Sequence, residues 1–324
     1  MTENARPVFI YIVSSPHGGS TLLSHVLGKH GAAVNLGEVS FLPKLIALSE
    51  PCSCGSPIPE CGYWSQLLKV YEKKVGSNLL EDPYGVHLGD APKDKLGSGL
   101  IDTNHQSKLR FFLMKVRGAL DTLSVLYAPR TLPLRMMSPP SITAGARATL
   151  ALFDAAAEHT GSRIVVDASK MPRKAAHLYQ AAPDQVRIIH LTRDGRGVVA
   201  SRKRYMPVSH AAERWAHYHK LSERTLARWV PDAHRIRVSY EQFVADPEQV
   251  LTSLFAWLGE DYDAECLTFG DGRISHAAGG NPARFELSGG IRPADERWRR
   301  ELTAAELDDF QHVAGEQNKA FGYE

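Results

Sequence analysis

The sequence predicts an α/β fold: a P-loop-like parallel sheet flanked by helices, with a helical and loop insertion at residues 65–145. Three observations predict it. Val8–Val13 (VFIYIV) is an unbroken apolar run, followed at once by the small-residue turn Ser14–Thr21 and by Leu22, Leu23, Val26 and Leu27 at helical spacing. Further short apolar runs alternate with helical periodicity, the pattern left by βα units that close a parallel sheet. Polar residues recur just after these runs, at 15–21, Glu38, Lys170, Arg193 and Tyr240. Ligands of open α/β sheets bind at the carboxyl ends of the strands, so this edge is where a site is expected.

Taken in order, the first helix is expected to end at Gly31, a C-cap residue, and Val34–Glu38 to form a second extended stretch. Phe41, Leu42, Leu45 and Ile46 then recur at helical spacing. Pro51–Trp64, with three prolines and two glycines, reads as a loop. Residues 71–107 are polar and glycine-rich, 109–126 look helical, and 128–140 hold four prolines. Thr143–His159 is an alanine-rich helix closed by Gly161. Strands follow at 163–167, 186–191 and 235–238. The helix from about 211 to 229 carries Trp215, Tyr218, Leu226 and Trp229 along one stripe. Asp246-Pro247-Glu248 opens a helix closed by Gly259, and Thr303 with Glu306 forms a capping box for the last one. One domain spans 1–324.

Charge excludes some functions. The 324 residues carry 38 basic and 36 acidic side chains, a net charge of +2, so any anion site must be local and nucleic acid is not an expected partner. No window offers about 18 uncharged apolar residues, and Val8–Val13 is too short for a signal-peptide core. The chain therefore reads as cytoplasmic, without stable membrane insertion. Four cysteines do not make a disulfide scaffold at this length. Cys52, Cys54 and Cys61 cluster, but C-x-C-x6-C fits no zinc pattern, so no metal is assigned and the loop is expected to hold free thiols or one disulfide.

A buried strand, a glycine turn and a helix make a phosphate site, because glycine lets backbone approach the anion and the first helical N–H groups point at it. The Walker A pattern is not met: no Gly-Lys pair precedes Ser20-Thr21, which disfavours a P-loop kinase or other ATP-dependent phosphotransferase. Arg193 at a strand end and Ser201, eight residues on, can converge on a second phosphate through a guanidinium fork and a hydroxyl. By position alone, Glu38 fits an N-cap glutamate as well as a site residue.

These paired motifs resemble the sulfotransferases that use 3′-phosphoadenosine 5′-phosphosulfate (PAPS), notably bacterial, carbohydrate-type and tyrosylprotein members. The 5′-phosphosulfate loop of that family is similar to Ser15-Pro16-His17-Gly18-Gly19-Ser20-Thr21, and its 3′-phosphate element to Arg193-Asp194-Gly195-Arg196 with Ser201. Val238–Phe243 resembles the Tyr-Glu segment, which implies Tyr240 at the adenine. Gly280–Phe285 resembles a loop that covers the cofactor, with Asn281 and Arg284, and leaves Asn281 or Ser288 as a further donor. Residues 7–46 and 163–300 are covered well, 65–145 are not.

The resemblance implies that Glu38 is the catalytic base, that Lys170 steadies the sulfuryl group and the leaving oxygen, and that Tyr240 and Arg284 close over the nucleoside. It implies no metal in catalysis. His17 stands where the family usually has Lys or Arg, so either the bound anion keeps it protonated or Lys170 carries more of the charge. A catalytically weak protein that only binds PAPS, or the product bisphosphate PAP, is the alternative. The acceptor hydroxyl or amine belongs to a small molecule, lipid, saccharide or peptide. The insertion would lie over the active site. Its Tyr84, Phe111, Phe112, Tyr127, Met136 and Met137 suit an apolar or amphiphilic acceptor or the core, and the segment can equally form a homodimer contact.

Overall fold

The computed structural model describes residues 6–84, 88, 108–269, 275–285 and 289–324, with backbone alone at 108–114 and 283. The first half runs β1 (Val8–Ser14), α1 (Ser20–Leu27), β2 (Ala33–Gly37), α2 (Leu42–Ala47), α3 (Gly62–Val75), α4 (Lys108–Tyr127), α5 (Leu134–Met137) and α6 (Pro140–Thr160). The second runs β3 (Ile164–Lys170), α7 (Pro172–Ala181), β4 (Val186–Thr192), α8 (Gly195–Arg202), α9 (Val208–Trp229), β5 (Arg235–Ser239), α10 (Tyr240–Ala245), α11 (Pro247–Leu258), α12 (Trp298–Glu301) and α13 (Ala304–Ala320).

The five strands lie in the order β2-β3-β1-β4-β5, every pair parallel. From β1 the chain crosses to the outer β2, returns through β3, then crosses to β4 and β5 on the other side. β1 thus lies where the strand order reverses, the place where such sheets open a crevice for ligand.

Alternation along β1 decides how the layers form. Phe9, Tyr11 and Val13 face one side, packed with Val165, Ile188 and the apolar stripes of α3, α6 and α7. Ile10 and Ile12 face the other, with Val166, Ile189, Leu23 of α1 and Leu254 of α11. Burying each such side chain stabilises the fold by about 1.5–3 kcal/mol. A third cluster joins α8, α9, α12 and α13 around Trp215 and Phe310.

The expected caps are formed at three helices. The Asp246 carboxylate accepts from Gln249 N at 3.1 Å, Thr303 and Glu306 make the capping box of α13, and Gly161 ends α6 at φ 69°. The first helix differs: α1 stops at Leu27 and Gly28 is its C-cap, not Gly31. The chain needs the intervening residues to turn into β2, where Ala33 N bonds His30 O at 2.9 Å.

The 65–145 segment contributes to the core. α3 buries Trp64, Leu67, Leu68 and Tyr71 in the main core, and Trp229 Nε1 of α9 donates to Val125 O of α4 at 2.6 Å. Residues 85–87 and 89–107, and the side chains of Phe111 and Phe112, lie outside the described residues. Tyr84, Tyr127, Met136 and Met137 are exposed rather than core. Among the described residues, no helix is long and apolar enough to cross a membrane.

Candidate functional site

All five strand ends carry a residue singled out by the sequence. In sheet order these are Glu38 after β2, Lys170 at the end of β3, the 15–19 turn after β1, Arg193 after β4 and Tyr240 after β5. With strands about 4.8 Å apart, β2 and β4 are separated by roughly 14 Å. A cleft of about 1720 Å³ opens over this edge, lined by Pro16, His17, Gly19, Ser20, Thr21, Glu38, Lys170, Arg193, Ser201, Tyr240 and Asn281.

The central turn is shaped by its glycines. Gly19 caps α1 at φ 92°, and a Cβ there would stand 2.2 Å from a Tyr240 ring carbon, so only glycine fits between turn and ring. His17 also holds a positive φ, 65°, a conformation histidine tolerates better than most side chains. The Gly18 N–H is committed to Ser15 O at 3.0 Å, and Gly19, Ser20 and Thr21 line the cleft beyond it. The Ser15 hydroxyl is buried without a partner among the described residues, a donor left over by the fold itself.

Glu38 and Lys170 form an ion pair between side chains 11% and 17% exposed. The Glu38 backbone N–H bonds Ala278 O at 2.7 Å, and a Cβ on Gly37 would stand 2.4 Å from that same oxygen. Lys170 is held in the left-handed region, φ 74°, its carbonyl accepting from the Tyr218 hydroxyl while Met171 N bonds the Tyr11 hydroxyl at 3.1 Å. The register slips at the end of β3, which turns the lysine toward its acid. Such strain in a non-glycine residue recurs at functional sites.

Beneath this pair lies Asp167, fully buried. Its Oδ1 accepts from Ser169 N at 2.8 Å and its Oδ2 has no partner among the described residues. Burial raises its pKa from 3.8 to about 6, against the pull of Lys174 and the Ser169 hydrogen bonds and with help from Glu38. A raised folded-state pKa means the native protein holds the proton more tightly. The stabilisation is complete below about pH 4 and is lost as pH rises through about 6. Asp167→Asn is expected to flatten that part of the stability profile, read from urea midpoints at both ends of the window. An unchanged slope would remove Asp167 from the account.

On the other side of the cradle, Arg193 Nη1 donates to His17 O at 2.8 Å and its guanidinium lies 4.6 Å from the Tyr240 ring centre. Ser201 lines the same cleft, its hydroxyl donating to Gly197 O at 3.0 Å. Arg196 is not part of this group: it pairs with Asp194, Nη2 to Oδ2 at 2.7 Å, and stacks on Trp298. Glu241 ties strand to helix, accepting from Asp194 N at 3.0 Å and from the Tyr323 hydroxyl at 2.6 Å.

The wall is more basic than the motifs indicated. Besides Lys170 and Arg193, it carries Arg173, Lys203, Arg204, Arg214, Arg292 and Arg297, against the acids Glu38, Asp295 and Glu301. Burial lowers the His17 pKa, and so do Arg202, Arg193, Arg204 and Lys170 around it. That shift favours the neutral imidazole, and fixed cations supply the charge. Arg202 and Arg204 were missed because their role depends on how α8 ends, not on a local pattern. Arg173, held by Gly118 O at 2.7 Å and Asp121 Oδ2 at 3.2 Å, was hidden for the same reason.

The 280–285 loop divides. Asn281 N bonds Thr21 Oγ1 at 3.2 Å and faces the cleft. Arg284 does not close over the nucleoside side with Tyr240. Its guanidinium goes to Gly280 O at 2.9 Å and Pro51 O at 3.2 Å, in a small separate recess beside Glu38. Ser288 lies outside the described residues. Cys52, Cys54 and Cys61 are free thiols, not a disulfide, and His276 joins them. That fourth group is 215 residues from Cys61 and invisible to spacing.

The sheet order, the cradle after β1 and the basic edge define an α/β protein of the sulfotransferase fold. Two sulfotransferase domains have the same architecture, each at 19% identity and TM-score 0.50. One is from the Synechococcus PCC 7002 olefin synthase (100% of this chain, 98% of that one) and one from the curacin biosynthetic pathway (99% of each). Residues 130–264 match the sulfotransferase family model. No curated protein matches the sequence.

Proposed function

We propose that the protein transfers a sulfuryl group from PAPS to an acceptor hydroxyl or amine by in-line displacement. The observation that carries this reading is one basic cleft shared by the Glu38–Lys170 pair, the glycine cradle and the Arg193–Tyr240 pair. A donor with anionic groups at two ends of a nucleoside matches cations at two ends of a cleft.

The fit to such a donor rests on features of this chain: the unpartnered Ser15 hydroxyl, the cradle that a Gly19 Cβ would fill, and an aromatic ring beside a guanidinium. The amides at the start of α1 and Lys170 hold the sulfuryl and 5′-phosphate oxygens, where charge grows in the transition state. Arg193 and Ser201 hold the 3′-phosphate, and Tyr240 packs on the base. Glu38 takes the acceptor proton. In the free protein its carboxylate is engaged by the Lys170 ammonium. Anion binding draws Lys170 away and frees the base, so donor and acceptor act in sequence. Small molecules, lipids, saccharides and peptides all fall within the acceptor class.

Two measurements test this. Calorimetry with the 3′,5′-bisphosphate product should show binding that weakens as salt rises. Sulfate transfer from PAPS should then appear across a panel of phenols, saccharides, lipids and tyrosyl peptides. Tight product binding with no transfer to any acceptor would leave the binding-only reading.

The lowered pKa of His17 gives a sharper check. His17→Lys places a fixed cation where that shift favours a neutral ring. It is expected to keep or raise turnover near pH 8, about 1.5 units above the usual histidine pKa. A large loss would mean that the imidazole acts as a donor of specific shape.

A further inference from the structure

Away from the cleft, the loop 51–61 and the segment 275–278 meet at four side chains. Cys61 Sγ lies 3.3 Å from His276 Nδ1, Cys52 Sγ lies 3.8 Å from the same nitrogen, and Cys54 Sγ lies 3.7 Å from Cys61 Sγ. All four candidate ligand atoms fall within 4.8 Å of one another. A tetrahedral zinc with bonds of about 2.3 Å to sulfur and 2.0–2.1 Å to nitrogen has edges of roughly 3.8 Å between sulfurs and roughly 3.5 Å from sulfur to nitrogen. A disulfide needs about 2.05 Å and would use only two of the four groups.

We propose that Cys52, Cys54, Cys61 and His276 bind one zinc ion in a closed, structural Cys₃His centre. Three thiolates and an imidazole are soft ligands that suit zinc, and four protein ligands leave no position for substrate. Binding releases the thiol protons to solvent and needs no oxidant.

The surroundings are built to hold these ligands. The Tyr63 ring stacks on the His276 imidazole, centres 4.9 Å apart and planes at 11°. Trp64 Nε1 donates to His276 O at 2.7 Å. Ser53, between the first two cysteines, clamps the other segment: its hydroxyl donates to Ser275 O at 2.7 Å and accepts from Ala277 N at 2.8 Å. Cys52 and Cys61 are buried, while Cys54 and His276 are partly open to solvent and give the ion its entry.

The consequence reaches the cleft without touching it. Two residues beyond His276, Ala278 bonds Leu36 O through its N–H at 2.9 Å and Glu38 N through its carbonyl at 2.7 Å. Gly280 and Asn281 follow, against Thr21. Neither 51–61 nor 275–281 contains a long helix or a strand to anchor it. The metal therefore staples the loop that positions Glu38 to the first half of the chain.

The test uses full-length protein purified reduced and without a histidine tag. Elemental analysis should find about one zinc per chain, and cobalt(II) added to stripped wild-type protein should give the intense d–d and thiolate charge-transfer bands of a tetrahedral thiolate site. Cys54→Ser and His276→Asn, checked for folding by circular dichroism, should each lose stoichiometric metal. Chelation of the wild type should lower its melting midpoint. The proposal is overturned if reduced wild-type protein gives no cobalt bands. It is also overturned if a variant lacking all four ligands takes up as much metal, or if the native thiols prove to be a Cys54–Cys61 disulfide. None of these readouts depends on turnover, so they stand apart from the sulfuryl-transfer reading.

Discussion

Glu38→Gln is expected to cut sulfuryl-transfer turnover by about 10²–10⁴-fold, the usual worth of a general base, with affinity for the 3′,5′-bisphosphate product nearly unchanged. The amide keeps the shape of the carboxylate, and its oxygen can still accept from Lys170, so the Ala278 contact and the cleft wall are undisturbed. What it loses is the capacity to take a proton. A second effect opposes the first: without the carboxylate charge, Lys170 is freer for an incoming anion. That gain falls in binding, not in turnover, because it changes how readily Lys170 meets the donor. Product calorimetry and initial rates separate the two. Wild-type turnover in the variant would remove Glu38 as the base and shift attention to the acceptor's own ionisation.

Arg193→Ala is expected to do the reverse and weaken product binding on the order of 10²–10³-fold, because a buried cation is taken from an anion it would contact directly. Arg193 is only 9% exposed, holds His17 O and packs on Tyr240. Its loss thus removes a charge and loosens the cradle together. Turnover at saturating donor should change less than affinity. Arg193→Lys should restore part of the affinity, since it returns the charge but not the planar fork. Full binding in the alanine variant would contradict a second anion subsite at the end of β4.

Much of this site was legible along the chain because its parts are local. A run such as Val8–Val13, six residues long and bounded by a small-residue turn, reads as a buried strand, and the polar residues that follow each strand fall on one edge of a parallel sheet whatever the strand order. Glu38, Lys170, Arg193 and Tyr240 could therefore be placed before any coordinates. Arg202, Arg204 and Arg173 could not, since each reaches the cleft or its histidine through helix packing. Arg284 was misplaced for a related reason. Its loop was recognised, but the tether to Pro51 that turns the side chain toward Glu38 spans 233 residues.

The layers, the caps at Asp246 and Thr303, and the one edge on which charged groups gather are written in the chain. Each of these follows from periodicity within a few residues. Which groups meet depends on the folded arrangement: Glu38 with Lys170, four cations around His17, and His276 with three cysteines. The physical reason is that hydrophobic patterning acts over one turn or one strand pair, whereas ion pairs and metal ligands are set by strand order and loop docking, which bring distant segments within bonding reach.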